Sequence, residues 1–344
     1  MENFDIVLVG AGSAGCIVAN QIINSTNYKV LLIEAGPSDN NLTIQVPLGY
    51  GMTFYHKKMN WNFYSEIQKN LHNREIYYPR GKVLGGSGSI NAMIYARGLR
   101  SDFENWNLSK NWSWENIKTT YDQIEFAVNN KTKRLPSNKI PVNDISKQHH
   151  PILKNFFDAS NDFNFTFNKQ LKSSIENQVG NYNVNIFKGF RTSSSKVFLK
   201  PIKNHPNLTI FTKTEVLKLN YKNKKIVSLD IKHKNKIISV KPKIGTILSS
   251  GSIMTPYLLL KSGIGNASDL KELNLPVNLH SSHVGKNFQD HLGLDYLYKT
   301  FASTLNKDLG TWGGRIKSVL KYLYNRSGPL ALSLNQGGGY INWN

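Results

Sequence analysis

The segment Ile6-Val7-Leu8-Val9-Gly10-Ala11-Gly12-Ser13-Ala14-Gly15 runs from an apolar tetrapeptide directly into a glycine-dense turn. A helix-forming stretch follows, and a second apolar run, Val30-Leu31-Leu32-Ile33, leads into Glu34-Ala35-Gly36. The order reads strand, turn, helix, strand, acid. Gly10 permits the tight turn, Gly12 lets a pyrophosphate come close to the backbone, and Gly15 lets the helix lie against the strand. The helix start at Ser13 and Ala14 offers unpaired amides to phosphate oxygens. Glu34, with eighteen residues between it and Gly15, stands where a carboxylate accepts hydrogen bonds from ribose hydroxyls. Three glycines in a turn can also serve packing alone. The strand before them, the helix after them and the acid beyond favour an adenine dinucleotide.

The chain has 344 residues, 40% of them hydrophobic and 11% aromatic, enough for a large core and two domains. Its single cysteine, Cys16, falls inside the first helix, so no disulfide forms within the chain and a reducing compartment fits. Packing, rather than thiol chemistry, is the expected role of Cys16. A first strand that begins by Phe4 speaks against a signal peptide, and no apolar run reaches membrane-spanning length. The expected location is cytoplasmic, with peripheral contact at the inner face of a membrane as the alternative.

The net charge of +21 comes mostly from lysine, as in Asn220-Tyr221-Lys222-Asn223-Lys224-Lys225 and Lys232-His233-Lys234-Asn235-Lys236. Both runs sit at turns between β-like segments, where solvated lysine is the ordinary outcome. Clustered arginine with interleaved aromatics, the mark of nucleic-acid readers, is missing, so no nucleic-acid partner is expected. A polyanion-binding protein built on a nucleotide fold is the remaining alternative from a different class.

A second glycine-dense block reads Tyr78-Pro79-Arg80-Gly81-Lys82-Val83-Leu84-Gly85-Gly86-Ser87-Gly88-Ser89-Ile90-Asn91-Ala92-Met93, followed by Ile94 and Tyr95. Its glycines free the backbone to pass close to a flat ligand, and Ser87, Ser89 and Asn91 supply short polar groups. A loop lying against a cofactor ring fits better than a linker, because the block ends in an apolar stretch. Further along, helices are expected from Trp112 to Phe126 and over 151–163, the latter with Ile152, Leu153, Phe156 and Phe157 on one face. From Asn207 a run of β-like segments suggests a meander, and Gly245–Leu248 suggests a return to the parallel sheet. Ser252 is the expected N-cap of the next helix and Gly263 its stop. Val284 to His291 reads as a compact polar turn.

Taken together, these blocks resemble the glucose-methanol-choline (GMC) family of FAD-dependent oxidoreductases, and within it the choline-dehydrogenase-like alcohol dehydrogenases. The family's nucleotide motif is similar to Gly10–Gly15 with Glu34-Ala35-Gly36. Its first signature resembles Gly81–Asn91, with Tyr95–Gly98 and Asp102–Trp106 beyond, and its second resembles Gly251–Gly265. The resemblance covers most of residues 1–295. It implies an α/β fold, an FAD-binding Rossmann-like βαβ domain with a β-meander, plus an α+β substrate-binding domain with an antiparallel sheet, incomplete at its C-terminus. The implied division is 1–110 with 190–295 for FAD, and 111–189 with 296–344 for substrate.

The resemblance also assigns site residues. The adenosine end of FAD belongs over Gly10, Gly12, Ser13, Ala14, Gly15, Glu34 and Ala35, with Val216 holding the adenine through its backbone. The isoalloxazine belongs against the Gly85–Asn91 loop, and Val83, Gly86, Ser87, Asn91, Ala92, Met93 and Ile94 are assigned to cofactor binding. Some relatives attach FAD through a histidine in the first signature; Ile90 occupies that place here, so non-covalent FAD is implied. The implied reaction oxidises a primary or secondary alcohol to an aldehyde or ketone by hydride transfer to flavin N5, with oxygen, a quinone or another group as electron acceptor. The family's catalytic histidine pair is expected beyond Asn344, so no catalytic residue is assigned in this chain. Metal-ligand spacing is absent. A flavin-holding fragment without turnover is the alternative reading.

Overall fold

The computed structural model describes residues 3–106, 108–171, 177–223 and 225–342. The chain forms two compact units. The first runs to Asp39 and takes in Phe54–Ile90 and Ser194–Tyr296; the second comprises Asn40–Thr53, Asn91–Ser193 and Leu297–Asn344.

In the first unit, the opening tetrapeptide forms strand β1 (Ile6–Val9), the glycine turn leads into helix α1 (Ser13–Ser25), and the second apolar run forms β2 (Val30–Ile33). Two strands from far along the chain, β3 (Leu208–Phe211) and β7 (Gly245–Leu248), complete a parallel sheet of order β3-β2-β1-β7. Register runs in step: Ile6 lies beside Val30 on one side and Gly245 on the other. Every residue of β1 and β2 is buried. Both faces of the sheet are therefore covered, which explains why these strands read as unbroken apolar runs rather than alternations.

One face carries an antiparallel meander of β4 (Glu215–Lys222), β5 (Lys225–His233) and β6 (Lys236–Val240). Val7, Val9, Leu31 and Ile33 from the sheet join Leu219, Leu229, Ile231 and Val240 from the meander in one core, together with Leu258 of helix α2 (Gly251–Lys261). Alternation sends Leu8 and Leu32 to the opposite face, where α1 buries Cys16, Ala19 and Ile23. The buried Asn20 donates from Nδ2 to the Phe198 carbonyl at 2.8 Å, so this helix face keeps a satisfied polar group. Burial pushes the Cys16 thiol up to about 12, consistent with a packing role.

The meander begins later than the sequence suggests. Leu208–Phe211 pairs in parallel with β2 instead of with β4, a distinction that a four-residue apolar run does not carry. The chain turns after it at Lys213, whose φ is 51°, and the amides of Lys213 and Thr214 donate to the carbonyls of Gly36 and Glu34. Helix α2 also begins earlier than expected: Ser250 precedes it, and Ser252 lies inside it. Its stop is as read, with Gly263 at φ 76° just past the last turn.

The second unit contains helices Trp114–Ile124, Leu153–Asn161 and Trp312–Asn325. Phe126 belongs to a short strand, Glu125–Ala127, rather than to the helix before it. Phe156 is exposed, so the expected apolar face of the 153–161 helix is only partly covered. A three-stranded sheet joins Gln178–Asn181 to Thr166–Gln170 in parallel and to Gly337–Tyr340 in antiparallel. Segments 40–53 and 91–193 fall together in this unit. Side chains and strand pairing account for it: Ile94–Tyr95 pairs with Asn183–Val184. The fully buried Arg191 donates from Nε to Ile44 O, from Nη1 to Asn91 Oδ1 and from Nη2 to Asn91 O.

His149 gives this unit a pH dependence. Burial lowers its imidazole below the ordinary 6.5, against the pull of a 2.9 Å contact between Nδ1 and Asn181 Oδ1. The unfolded chain thus takes up this proton at higher pH than the fold does. Stability from this group is complete above about 6.5 and falls as pH drops through the lowered value. Thermal melts at stepped pH should show the decline on acidification, flattened in His149→Asn; an unchanged slope in the variant assigns the acid sensitivity elsewhere.

Candidate functional site

The ends of β1, β2, β4 and β7 open onto a cleft of about 680 Å³ in the first unit. Its lining brings together Gly10, Gly12, Ser13, Ala14, Glu34, Ala35, Gly86, Ser87 and Val216. Gly15 sits behind this surface. A Cβ built there would lie 2.0 Å from the Gly10 carbonyl oxygen, so only glycine lets α1 approach the turn. Val83 is wholly buried beneath the second glycine block, and its carbonyl accepts from the Gly86 amide at 2.8 Å. Asn91, Ala92, Met93 and Ile94 belong to the second unit, where Asn91 Oδ1 accepts from the Met93 amide and Met93 holds φ 61°.

The two glycine blocks close on each other. The Gly85 amide donates to Ala11 O at 2.7 Å, and the Gly81 amide donates to Ser87 Oγ at 3.0 Å. Gly86 holds φ 56°, and a Cβ there would meet the Gly12 Cα at 2.8 Å. Ser249 fixes the turn from below, its hydroxyl donating to Gly10 O at 2.7 Å. A Cβ on Gly12, by contrast, would meet only the Ser249 carbonyl oxygen at 3.9 Å, an ordinary contact, and Gly12 lines the open space of the cleft.

Helix α1 begins beside that space with Gly12 as its N-cap, no side-chain cap and no acid in its first turn. A helix N-terminus left without a capping carboxylate or hydroxyl is suited to an anionic group. Glu34 is 6% exposed, and its oxygens accept separately from the Ala11 amide (Oε2, 2.9 Å) and the Gly36 amide (Oε1, 2.9 Å). Burial pushes this carboxyl upward, while the two amides and the nearby Lys82 draw it back toward the ionised form. Glu34 thus ties the tip of β2 to the glycine turn while lining the cleft.

On another wall Trp61 and Phe63 stack with ring centres 5.7 Å apart, and the Lys82 ammonium lies 4.2 Å from the Trp61 ring centre. Arg80 lines the same wall and pairs with Asp290 at 2.8 Å. At Val216 the pairing of β4 with β5 shifts register before Lys218, a bulge that bends the strand where it borders the cleft. The sequence reading named neither the aromatic wall nor the Ser249–Leu258 stretch as site residues. Asn60-Trp61-Asn62-Phe63-Tyr64 carried a usable signal, since alternating aromatics mark a strand with one apolar side.

A buried parallel sheet, a glycine turn opening an uncapped helix and an acid at the tip of the second strand define a Rossmann-like dinucleotide-binding unit. The sequence profile of GMC oxidoreductases matches residues 4–293. An alcohol dehydrogenase [acceptor] of Pseudomonas putida is 33% identical over 98% of this chain and 62% of its own length. The mitochondrial choline dehydrogenase of Mus musculus is 29% identical over 99% of this chain and 59% of its own. Among solved structures, a variant of Aspergillus oryzae RIB40 formate oxidase, studied for FAD modification, superimposes with a TM-score of 0.86 at 23% identity, covering 99% of this chain and 62% of that one. The chain belongs to the GMC oxidoreductase family, whose members are FAD-dependent flavoproteins. It spans about 60% of the length of these relatives.

Proposed function

We propose that the cleft of the first unit holds FAD non-covalently, and that the chain forms the nucleotide-binding part of an oxidoreductase acting on CH–OH donors. The observation that carries this reading is the junction of the two glycine blocks. Gly86 abuts Gly12 at the mouth of an uncapped helix, and both glycines line the cleft. In this reading the amides at Ser13 and Ala14 bind the pyrophosphate, Gly15 lets the helix come close enough for them to do so, and Glu34 orients the ribose while holding Ala11 and Gly36. The Val216 backbone meets the adenine, and the Gly85–Asn91 loop borders the isoalloxazine. Bound there, the flavin supplies the hydride acceptor for oxidation of an alcohol to an aldehyde or ketone. The second unit then contributes to substrate binding.

Ile90 is 4% exposed and offers no nucleophile for attachment, so the yellow colour should leave the polypeptide on acid denaturation. Colour retained in the precipitate overturns the non-covalent reading, and a chain that takes up no FAD overturns the whole proposal. Among the described residues no histidine lines the cleft, which favours one second reading: these 344 residues hold FAD without turning over alcohol. Choline and simple primary alcohols, added with no electron acceptor present, separate the two. Flavin bleaching by any of them under anaerobic conditions supports turnover, and an unreduced flavin supports the holding role.

A further inference from the structure

Helix Trp312–Asn325 is fastened to its unit by one narrow face. Ser318 and Tyr322 are buried, and the Tyr322 hydroxyl donates to Gly189 O at 2.8 Å. At 3.6 residues per turn the opposite face carries Trp312, Ile316, Val319, Leu320, Leu323 and Tyr324. All six are exposed, Trp312 by 79%, Leu320 by 61% and Tyr324 by 90%. Lys317 and Lys321 flank this stripe on one side and Arg315 on the other. The helix contains no acidic residue. Over 297–326 there are six lysines and arginines against the single Asp308, and Leu297, Tyr298 and Phe301 in the same stretch are almost fully exposed.

We propose that this helix is an interfacial anchor that lies in the surface of an anionic phospholipid bilayer. An outward apolar stripe with a tryptophan and a tyrosine at its ends, bordered by basic side chains, fits the boundary between acyl chains and headgroups. At 14 residues the helix lies along a membrane, and among the described residues no helix is long and apolar enough to cross one. Charge chooses the partner. The basic flanks complement anionic headgroups and offer nothing to a basic surface such as a second copy of this chain, whose net charge is +21. This docking face involves none of the residues assigned to the cleft, so it stands or falls separately from FAD binding.

The chain's only cysteine is buried with its thiol held protonated, so Leu320→Cys can carry a polarity-sensitive fluorophore at a unique position. Vesicles of phosphatidylcholine with phosphatidylglycerol should shift the probe emission to the blue and float the protein. Pure phosphatidylcholine should bind it at least roughly tenfold more weakly. Ile316→Ser/Leu320→Ser/Leu323→Ser should abolish flotation with an unchanged melt, because these side chains are already exposed. Lys317→Glu/Lys321→Glu should bring binding to anionic vesicles down to the phosphatidylcholine level. Three results overturn the proposal: equal binding to both vesicle types, full flotation of the triple serine variant, or a probe already blue-shifted without lipid. The last would show that protein covers the stripe, a second copy if the shift depends on concentration and this chain itself or its continuation if it does not.

Discussion

Gly15→Ala is expected to remove the nucleotide-binding unit from the soluble fraction. The added methyl carbon would sit 2.0 Å from the Gly10 carbonyl oxygen and 2.8 Å from Ser249 Oγ. The serine hydroxyl can rotate, but the carbonyl is fixed by the turn that closes β1. Relief requires α1 to move off the sheet, which would uncover Cys16, Ala19 and Ile23. A cost of about 3 kcal/mol or more follows from overpacking of this kind, a large fraction of the stability of an ordinary domain. Expression with a solubility assay and a thermal melt checks it. A soluble variant melting within about 2 °C of the parent would mean that the helix is not held as tightly as the turn geometry requires.

Glu34→Ala should lower both stability and FAD affinity. Each of the Ala11 and Gly36 amides would lose its buried acceptor, at about 1–3 kcal/mol apiece. Glu34→Gln keeps one acceptor oxygen but turns an NH₂ group toward the other amide, so the expected order of melting temperature without FAD is parent, then glutamine, then alanine. If the carboxylate also orients ribose hydroxyls, FAD titration should show a further loss, roughly tenfold or more for either variant. Unaltered melts with weakened FAD binding would confine Glu34 to the ligand. Lowered melts with unaltered FAD binding would confine it to the turn.

Both expectations concern positions legible in the sequence, because the constraints there are local. Gly10 to Gly15 and Glu34 lie within one strand-helix-strand unit, where residue type and spacing nearly determine the geometry. The second role of Glu34 was less visible, since nothing in the order of residues says that both its oxygens already hold backbone amides. Long-range assignments were harder. Leu208–Phe211 could have joined either sheet, and its parallel pairing with β2, followed by the turn at Lys213, is visible only in the fold. Trp61 and Phe63 reach the cleft because Asn60 pairs across to Gly81, a contact between segments twenty residues apart. Arg191 gave no signal at all, as a buried arginine is recognisable only once Ile44 and Asn91 have been brought to it.

The parallel sheet also sets a timetable for the nascent chain. β1 and β2 leave the ribosome first, yet the neighbour of Ile6 on its other edge is Gly245. At ordinary elongation rates roughly ten to forty seconds separate the synthesis of β2 from that of β7. The outer edge of β2 stays open until Leu208–Phe211 is made, and that of β1 for the whole interval. Chaperone capture during translation, rather than unaided refolding from denaturant, should therefore govern the yield of native protein, and delayed codons between residues 34 and 245 should depress it.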